Sequence, residues 1–199
     1  MSAPPAVAAR LIAPQVASFH RLQPGITLVL SGTAGAAALD RGEADIAVRM
    51  SRPEEGGLVV RRIGVMRFGL YATPAHGRLP PEAWCFIGYD AALDHVPQQV
   101  WLRRLLAGRP MVFQASDLFG QLEAARAGLG AVTLPELMGD CDPELVRLPV
   151  VIPPPTRDLW LVTYPDLGRS VAIRAVSSFI ADVIGRACPI DGSRIRRAE

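Results

Sequence analysis

Several short stretches place a hydroxyl residue just before a predicted helix, where it could bind an anion. Ser31-Gly32-Thr33 ends a β-branched stretch and precedes a predicted helix, so its hydroxyls and exposed amides could hold a carboxylate. Helix starts favour anions because their first N–H groups lack an acceptor and carry partial positive charge. Ser2-Ala3-Pro4 precedes the first predicted helix, and Ser116 precedes a later one. The alternative for each stretch is helix capping without a ligand.

Charged and aromatic residues end two of the predicted strands. Arg49 ends the first, and a guanidinium there can grip a carboxylate through two N–H donors. A surface ion pair with an acidic residue is an equal alternative for Arg49. Tyr89 and Asp90 end the second strand, in the other half of the chain, and could contact the same ligand. Asp90 would disfavour a purely anionic ligand unless a cation pairs with it.

Residues that perform covalent or metal chemistry show no recognisable arrangement. The sequence has no nucleophile elbow, zinc-protease helix motif, P-loop or dinucleotide fingerprint. Three cysteines and three histidines are too widely spaced to suggest a metal site. We therefore expect no enzymatic activity, no metal and no cofactor, and we expect reduced thiols at Cys85, Cys141 and Cys188.

Composition excludes several classes of protein. Of the 199 residues, 50% are hydrophobic and 20% are charged, which favours a folded core over disorder. No apolar run is long enough to span a membrane, and no secretion leader is visible, so we expect a cytoplasmic protein without a membrane partner. All 21 basic residues are arginine, yet the net charge is only +2, which argues against a DNA-gripping face. The arginines at 194, 196 and 197 are interpreted as a solvated tail.

Residue patterns predict an alternation of helices and strands. Apolar residues at helical spacing predict a helix over 6–22, which Pro14 bends or delays. The succession of helix, strand, helix and strand implies parallel pairing, with helices packed on the sheet. Ser116 or Asp117 is the expected N-cap of a later helix. Predicted strands cover 26–31, 44–50, 58–64, 65–72, 84–90, 110–116, 131–135, 144–150 and 158–165; predicted helices cover 98–108, 117–130 and 169–187, with a loop and short helix over 32–42.

The layout indicates an α/β fold with two Rossmann-like lobes. We expect lobe one to comprise residues 1–73 and 165–199, and lobe two to comprise residues 74–164. The chain would then pass twice between the lobes, as in hinged proteins that close around a small ligand.

Five phrases, taken in order, resemble the effector-binding domain of LysR-type transcriptional regulators. They are "APPAVAARLIAPQVASFHRLQPGITLVLSGT", "LDRGEADIAVRM", "LVVRRIGVMRFGLYATPAH", "EAARAGLGAVTLPE" and "DLWLVTYPDLGRSVAIRAVSSFIADVI". The resemblance extends over nearly the whole chain, and the order and separation of the five phrases make it specific. The resemblance implies a fold like that of type 2 periplasmic binding proteins and a small-metabolite effector held in an interlobe cleft.

The resemblance also implies partners and contacts. Residues matching Ser2–Pro4 and Ser31–Thr33 lie in loops that contact effectors in that family. Family domains form homodimers or higher oligomers, for which helices 6–22 and 98–108 are our candidate surfaces. Family members bind DNA only through an N-terminal helix-turn-helix, which is absent from this chain.

Two other functions stay open at this point. A transport-type solute-binding protein has a similar fold but needs a signal peptide or lipid anchor. A DNA-free fragment could instead form mixed dimers with complete regulators. The resemblance further implies that the first strand of lobe one ends before Ser2. As a hypothesis, lobe one is therefore strained or pairs with another chain, because neighbouring strands would expose unpaired backbone groups.

Overall fold

The computed structural model describes residues 1–33, 44–54 and 56–191. The chain forms two compact units. Unit 1 comprises Met1–Met66 and Arg157–Glu199, and unit 2 comprises Arg67–Thr156. We expected the changes between lobes near residues 73 and 164, whereas the units change within one long strand and at the start of another. Most of the predicted loop and helix over 32–42 lies outside the described residues.

Helices and strands alternate along most of the described chain. The strands are β1 Ser2–Ala3, β2 Ser31–Gly32, β3 Ile46–Arg49, β4 Val59–Ala72, β5 Phe86–Tyr89, β6 Met111–Ala115, β7 Ala131–Pro135, β8 Val146–Arg147 and β9 Thr156–Thr163. The helices are α1 Pro5–Val7, α2 Val16–Leu22, α3 Pro74–Gly77, α4 Pro97–Leu106, α5 Leu118–Arg126, α6 Glu136–Gly139 and α7 Val171–Ala187; short 3₁₀ turns cover Pro81–Ala83, Ala91–Leu93 and Pro165–Arg169.

A single helical segment runs from α1 to α2 and confirms the predicted helix over 6–22. Its middle is irregular, with a π turn at Ala8–Ile12 and a 3₁₀ turn at Ala13–Gln15. The cause is Pro14, which has no N–H to donate to the preceding turn and whose ring crowds the carbonyl four residues earlier. The predicted bend is thus a change of helical pitch.

The sheet of unit 1 has the strand order β2-β1-β3-β9-β4. β1 pairs in parallel with β2 and β3, so β2 and β3 run in the same direction, and β3 pairs antiparallel with β9. Ser2 and Ala3 are fully buried. The expectation that this strand is missing is therefore wrong, because Ser2–Ala3 form it themselves and leave no gap between β2 and β3.

The predicted strand over 26–31 is much shorter in the structure. Only Ser31–Gly32 pair with a neighbouring strand. The Ser31 amide also donates to the Met1 carbonyl, and the Met1 amine donates to the Val29 carbonyl. A β-branched sequence therefore does not make a strand here, since regular strand pairing needs a partner strand alongside.

The two strands predicted over 58–64 and 65–72 are one continuous strand, β4. We interpreted the stretch around Gly64 as a tight connection, and this was wrong. A Cβ on Gly64 would lie 2.8 Å from the Cys188 carbonyl oxygen and 2.8 Å from Ile184 Cγ2. The glycine permits close contact with the end of α7, rather than a turn.

Helix α7 covers the core of unit 1, as its apolar spacing predicts. Ser170 caps it by accepting a hydrogen bond from the Ile173 amide. Ile180 is fully buried, and the rings of Phe19 and Phe179 lie 4.7 Å apart. Burying this apolar face stabilises the helix against its sheet.

Unit 2 has its own sheet, in the order β4-β7-β5-β6 with β8 paired to β4. β5 is parallel to β6 and β7, and β7 is antiparallel to β4. Trp101 and Leu102 of α4 pack in the same core as Phe86 and Ala131 of the sheet. The predicted strand–helix alternation over 84–135 is confirmed. None of the helices in the described ranges combines the length and apolarity that crossing a membrane needs.

Candidate functional site

The carboxyl ends of β1, β2 and β3 meet at one edge of the unit 1 sheet. Ser2 is opposite Ser31 on one side and Ala47 on the other, and all three strands run in the same direction. The Thr33 amide donates to the Ala3 carbonyl at 2.9 Å, which extends the pairing by one residue. Ligands in open parallel α/β sheets bind at such edges. The structure thus brings together the unit 1 residues that the sequence singled out.

Hydrogen bonds from Nη1 help to hold Arg49 at this edge. Its Nη1 donates to Ser2 Oγ at 3.0 Å and to the Val48 carbonyl at 3.1 Å. Arg49 is only 8% exposed, and Ser2 has no exposed surface. Trp160 of β9 is the register partner of Arg49. Arg49 is therefore a buried, oriented cation rather than a mobile surface arginine.

Thr33 and the start of α1 supply hydrogen-bond donors at the same edge. Thr33 Oγ1 is buried and has no hydrogen-bond partner among the described residues. A buried hydroxyl without a partner costs free energy, so a guest group that bonds to it is favoured. Pro4 precedes α1, and its carbonyl accepts the first helical bond, from the Ala8 amide. The Ala6 and Val7 amides thus belong to the first turn, which lacks intrahelical acceptors.

Two of the remaining predicted residues of unit 1 are more open to solvent than Arg49. Ser31 and Gly32 are exposed at the end of β2. A Cβ on Gly32 would meet only ordinary contacts, 3.7 Å from Pro5 Cα and 3.8 Å from Ala8 Cβ. The Ser31 hydroxyl is therefore available on the surface side of the edge, whereas Ala3 is fully buried within β1.

Unit 2 gathers Tyr89, Asp90 and Ser116 at the carboxyl edge of its own parallel strands. Tyr89 is the register partner of Ala115, so the two strands end side by side. Asp90 Oδ1 accepts a hydrogen bond from the Ala92 amide at 3.1 Å and caps a 3₁₀ turn. Ser116 is exposed, and its neighbour Asp117 caps α5.

Gln99 is a residue at this edge that sequence reasoning missed. Its Oε1 accepts from the Tyr89 amide at 3.0 Å, and its Nε2 donates to the Tyr89 carbonyl at 3.2 Å. Gln114 Nε2 also donates to that carbonyl, at 2.9 Å. Gln99 is 1% exposed. A polar residue on the apolar face of a predicted helix was the available signal, because such a residue needs a buried partner.

Titratable side chains form no metal site within 1–33, 44–54 and 56–191. The three cysteines form no disulfide: Cys141 is exposed, Cys188 is buried and Cys85 is partly buried. Cys85 Sγ donates to the Leu129 carbonyl at 3.0 Å.

His76 is a buried histidine in unit 2, away from the predicted ligand residues. It is 6% exposed, and its Nε2 has no hydrogen-bond partner in the described chain. Burial lowers the pKa of His76 below its usual value, although a hydrogen bond with the Cys85 backbone opposes the shift. The folded state therefore favours the neutral ring.

Acidification should destabilise the protein through His76. Because its folded-state pKa is lowered, the unfolded state binds more protons below about pH 6.5. The contribution of neutral His76 to the free energy of unfolding is therefore fully present above that pH. It is lost as the pH drops towards the folded-state pKa. We expect His76→Gln to reduce this pH dependence in urea unfolding measured between pH 5 and 8. His95→Gln, at an exposed position, is the control. A His76→Gln protein with the wild-type pH dependence would contradict this assignment.

Parallel strands that end in hydroxyl and arginine side chains define a ligand-binding α/β domain. The LysR substrate binding domain family matches residues 1–185. The chain belongs to this family, as the resemblance implied.

Known proteins extend this finding. The Mau operon transcriptional activator of Paracoccus denitrificans is 28% identical over 183 residues, which cover 89% of this chain and 62% of that protein. The regulatory domain of CrgA, a LysR-type transcriptional regulator from Neisseria meningitidis, has a TM-score of 0.76 and 21% identity, covering 92% of this chain and 97% of that one. Full-length LysG from Corynebacterium glutamicum with bound effector Arg has a TM-score of 0.68 and 22% identity, covering 92% and 66%.

The structural likenesses establish the fold. It is the periplasmic-binding-protein type 2-like α/β fold of LysR-type regulatory domains, as predicted. The chain spans 62% of the length of the curated relative that it matches.

Proposed function

We propose that this chain is the part of a LysR-type transcriptional regulator that senses a small carboxylate effector. The observation that carries the proposal is the buried Arg49 guanidinium, oriented by Ser2 at the carboxyl edge of β1–β3. A cation in low dielectric attracts an anion more strongly than one in water, and a guanidinium matches the two oxygens of a carboxylate.

Three kinds of donor support a carboxylate at this edge. Arg49 supplies charge, Thr33 supplies a buried hydroxyl without a described partner, and the first turn of α1 supplies amide N–H groups. Ser31 adds an exposed hydroxyl beside them.

The residues predicted in unit 2 are candidate ligand contacts of that unit considered by itself. Ser116 is exposed at its carboxyl edge, whereas the Asp90 carboxylate is used in a cap. Tyr89 ends β5 at this edge, where Gln99 holds its backbone amide and carbonyl. We propose Ser116 and Tyr89 as neutral contacts, with Asp90 setting the local negative charge.

A matched ligand panel tests the effector class. Propionate, succinate and 3-phenylpropionate would each be compared with its primary amide by thermal shift and calorimetry. Binding stabilises the folded state by mass action, so an acid that binds should raise the melting temperature more than its amide does. We expect at least a tenfold tighter dissociation constant for the best acid. Equal responses to acid and amide throughout the panel would reject carboxylate sensing at Arg49.

The genomic reading frame upstream of Met1 tests the role in transcription. We propose that the whole regulator is a homodimer or larger oligomer that reads DNA through a helix-turn-helix outside this chain. An in-frame helix-turn-helix is the expected result. A signal peptide or lipid-anchor sequence would instead favour a transport-type solute-binding protein.

A further inference from the structure

We infer that Ser2 is a positioning residue that orients Arg49 for anion recognition and does not contact the effector itself. This inference rests on the proposed function of Arg49. Sequence reasoning placed Ser2 in a ligand loop, but the structure places it in the middle strand of a parallel group. Ser2 must therefore act on the effector indirectly, through a neighbouring side chain.

Strand register explains why Ser2 and Arg49 meet. Ser2 of β1 is opposite Ala47 of β3, and residues opposite each other point to the same face of a sheet. Arg49 lies two residues beyond Ala47 and so shares that face. The 3.0 Å bond from Arg49 Nη1 to Ser2 Oγ joins them there.

Because the bond between Arg49 and Ser2 is buried, it favours one orientation of the guanidinium. Ser2 has no exposed surface and Arg49 is 8% exposed, so water is poorly placed to replace the serine hydroxyl. The second bond, to the Val48 carbonyl, uses the other hydrogen of Nη1. Together the two acceptors hold Nη1 within the protein, and they set the plane of the guanidinium.

The test compares Ser2→Ala with Arg49→Ala and with the double variant. The probes are succinate and succinamide. The readout is the dissociation constant of succinamide divided by that of succinate, which is large when the protein prefers the acid. Ser2→Ala should reduce this ratio about tenfold while leaving succinamide binding unchanged, because charge-assisted hydrogen bonds are lost only with the acid. The double variant should match Arg49→Ala alone, since a positioning residue has no effect once its target is removed. Equal losses for acid and amide, or additive losses in the double variant, would overturn the inference.

A second readout needs no ligand. In ¹⁵N-labelled protein, the Arg49 side-chain signal is assigned by its disappearance in Arg49→Lys. Ser2→Ala should broaden or shift this signal, because the guanidinium loses one acceptor. An unchanged Arg49 signal in Ser2→Ala would show that Ser2 does not position it.

Ala3→Gly is the matched control. It shortens a fully buried side chain on the opposite face of the same strand and leaves the hydroxyl in place. We expect it to lower stability without changing the acid-to-amide ratio or the Arg49 signal. If wild-type protein does not prefer acids, the proposed function fails, and the signal of Arg49 still decides whether Ser2 orients it. If Arg49→Ala abolishes the preference and Ser2→Ala does not, only this inference fails.

Discussion

Gly139→Ala should destabilise the protein by about 2–3 kcal/mol, the upper part of the range for overpacking a core. A Cβ at this position would lie 2.5 Å from both Cε1 and Cε2 of Tyr71 and would also collide with Cζ. These atoms belong to a rigid ring, which cannot turn aside as the end of a flexible side chain would. Urea unfolding followed by circular dichroism measures the change in the free energy of unfolding.

The Tyr71 ring is held from several directions, so it cannot move away from the new methyl group. Tyr71 is fully buried, and its hydroxyl donates to Asp140 Oδ1 at 2.7 Å. Arg147 donates to both oxygens of Asp140 and places its guanidinium carbon 5.5 Å from the centre of the Tyr71 ring. Burial, followed by the hydrogen bond to Asp140, raises the pKa of Tyr71 well above its usual value. Moving the ring would break this network.

Gly168→Ala is the control for the glycine substitution. A Cβ there would meet nothing within 4 Å. We expect its effect to stay within about 0.5 kcal/mol, as for other exposed sites. If Gly139→Ala unfolds at the same urea concentration as Gly168→Ala, then α6 does not pack against Tyr71 as described.

Arg49→Ala should weaken binding of the best acid in the panel by about 10- to 100-fold, the range for losing a charge-assisted hydrogen bond. Binding of the matching amide should change little, because the amide carries no charge to pair with the guanidinium. The acid preference would then disappear. Isothermal titration calorimetry on both ligands measures the two dissociation constants.

Arg104→Ala controls for the loss of one positive charge. Arg104 is exposed on α4, and its removal should leave the acid preference intact. Arg49→Lys keeps the charge but not the planar group, so we expect only partial recovery of acid binding. An acid preference that survives Arg49→Ala would place the anion elsewhere, even if the protein were fully folded by circular dichroism.

Local sequence patterns predicted most elements of this fold. The apolar spacing of α7 and the glycine after α4 depend on residues close together in the chain, which is why these two helices were found near their correct bounds, whereas the short helices α3 and α6 were not predicted. Strand boundaries were harder. β4 was divided at Gly64 because a glycine in a strand can mark a turn, and the contact that explains it lies with α7, far along the chain.

The candidate site was predicted only in part for the same reason. Thr33 and Arg49 were predicted because a hydroxyl and an arginine follow or end predicted strands. Strand order alone indicates that the carboxyl ends of parallel strands meet at one edge. The bond from Arg49 to Ser2 was not predicted, because it depends on the register of β1 against β3. Gln99 was missed because its place on the apolar face of α4 indicates a buried partner but does not show that this partner is the Tyr89 backbone.

The amino-acid sequence by itself determined the α/β class through periodicity and element order, and its resemblance to LysR-type effector-binding domains indicated the family. It also indicated residues that could recognise an anion, because residue types at strand ends and helix starts can be read along the chain. Tertiary structure alone decided that Ser2 lies inside a strand, that β4 is continuous and that Arg49 is buried in one orientation. Each of these outcomes depends on which residues from distant segments come into register and exclude water, and that is decided only when the chain folds.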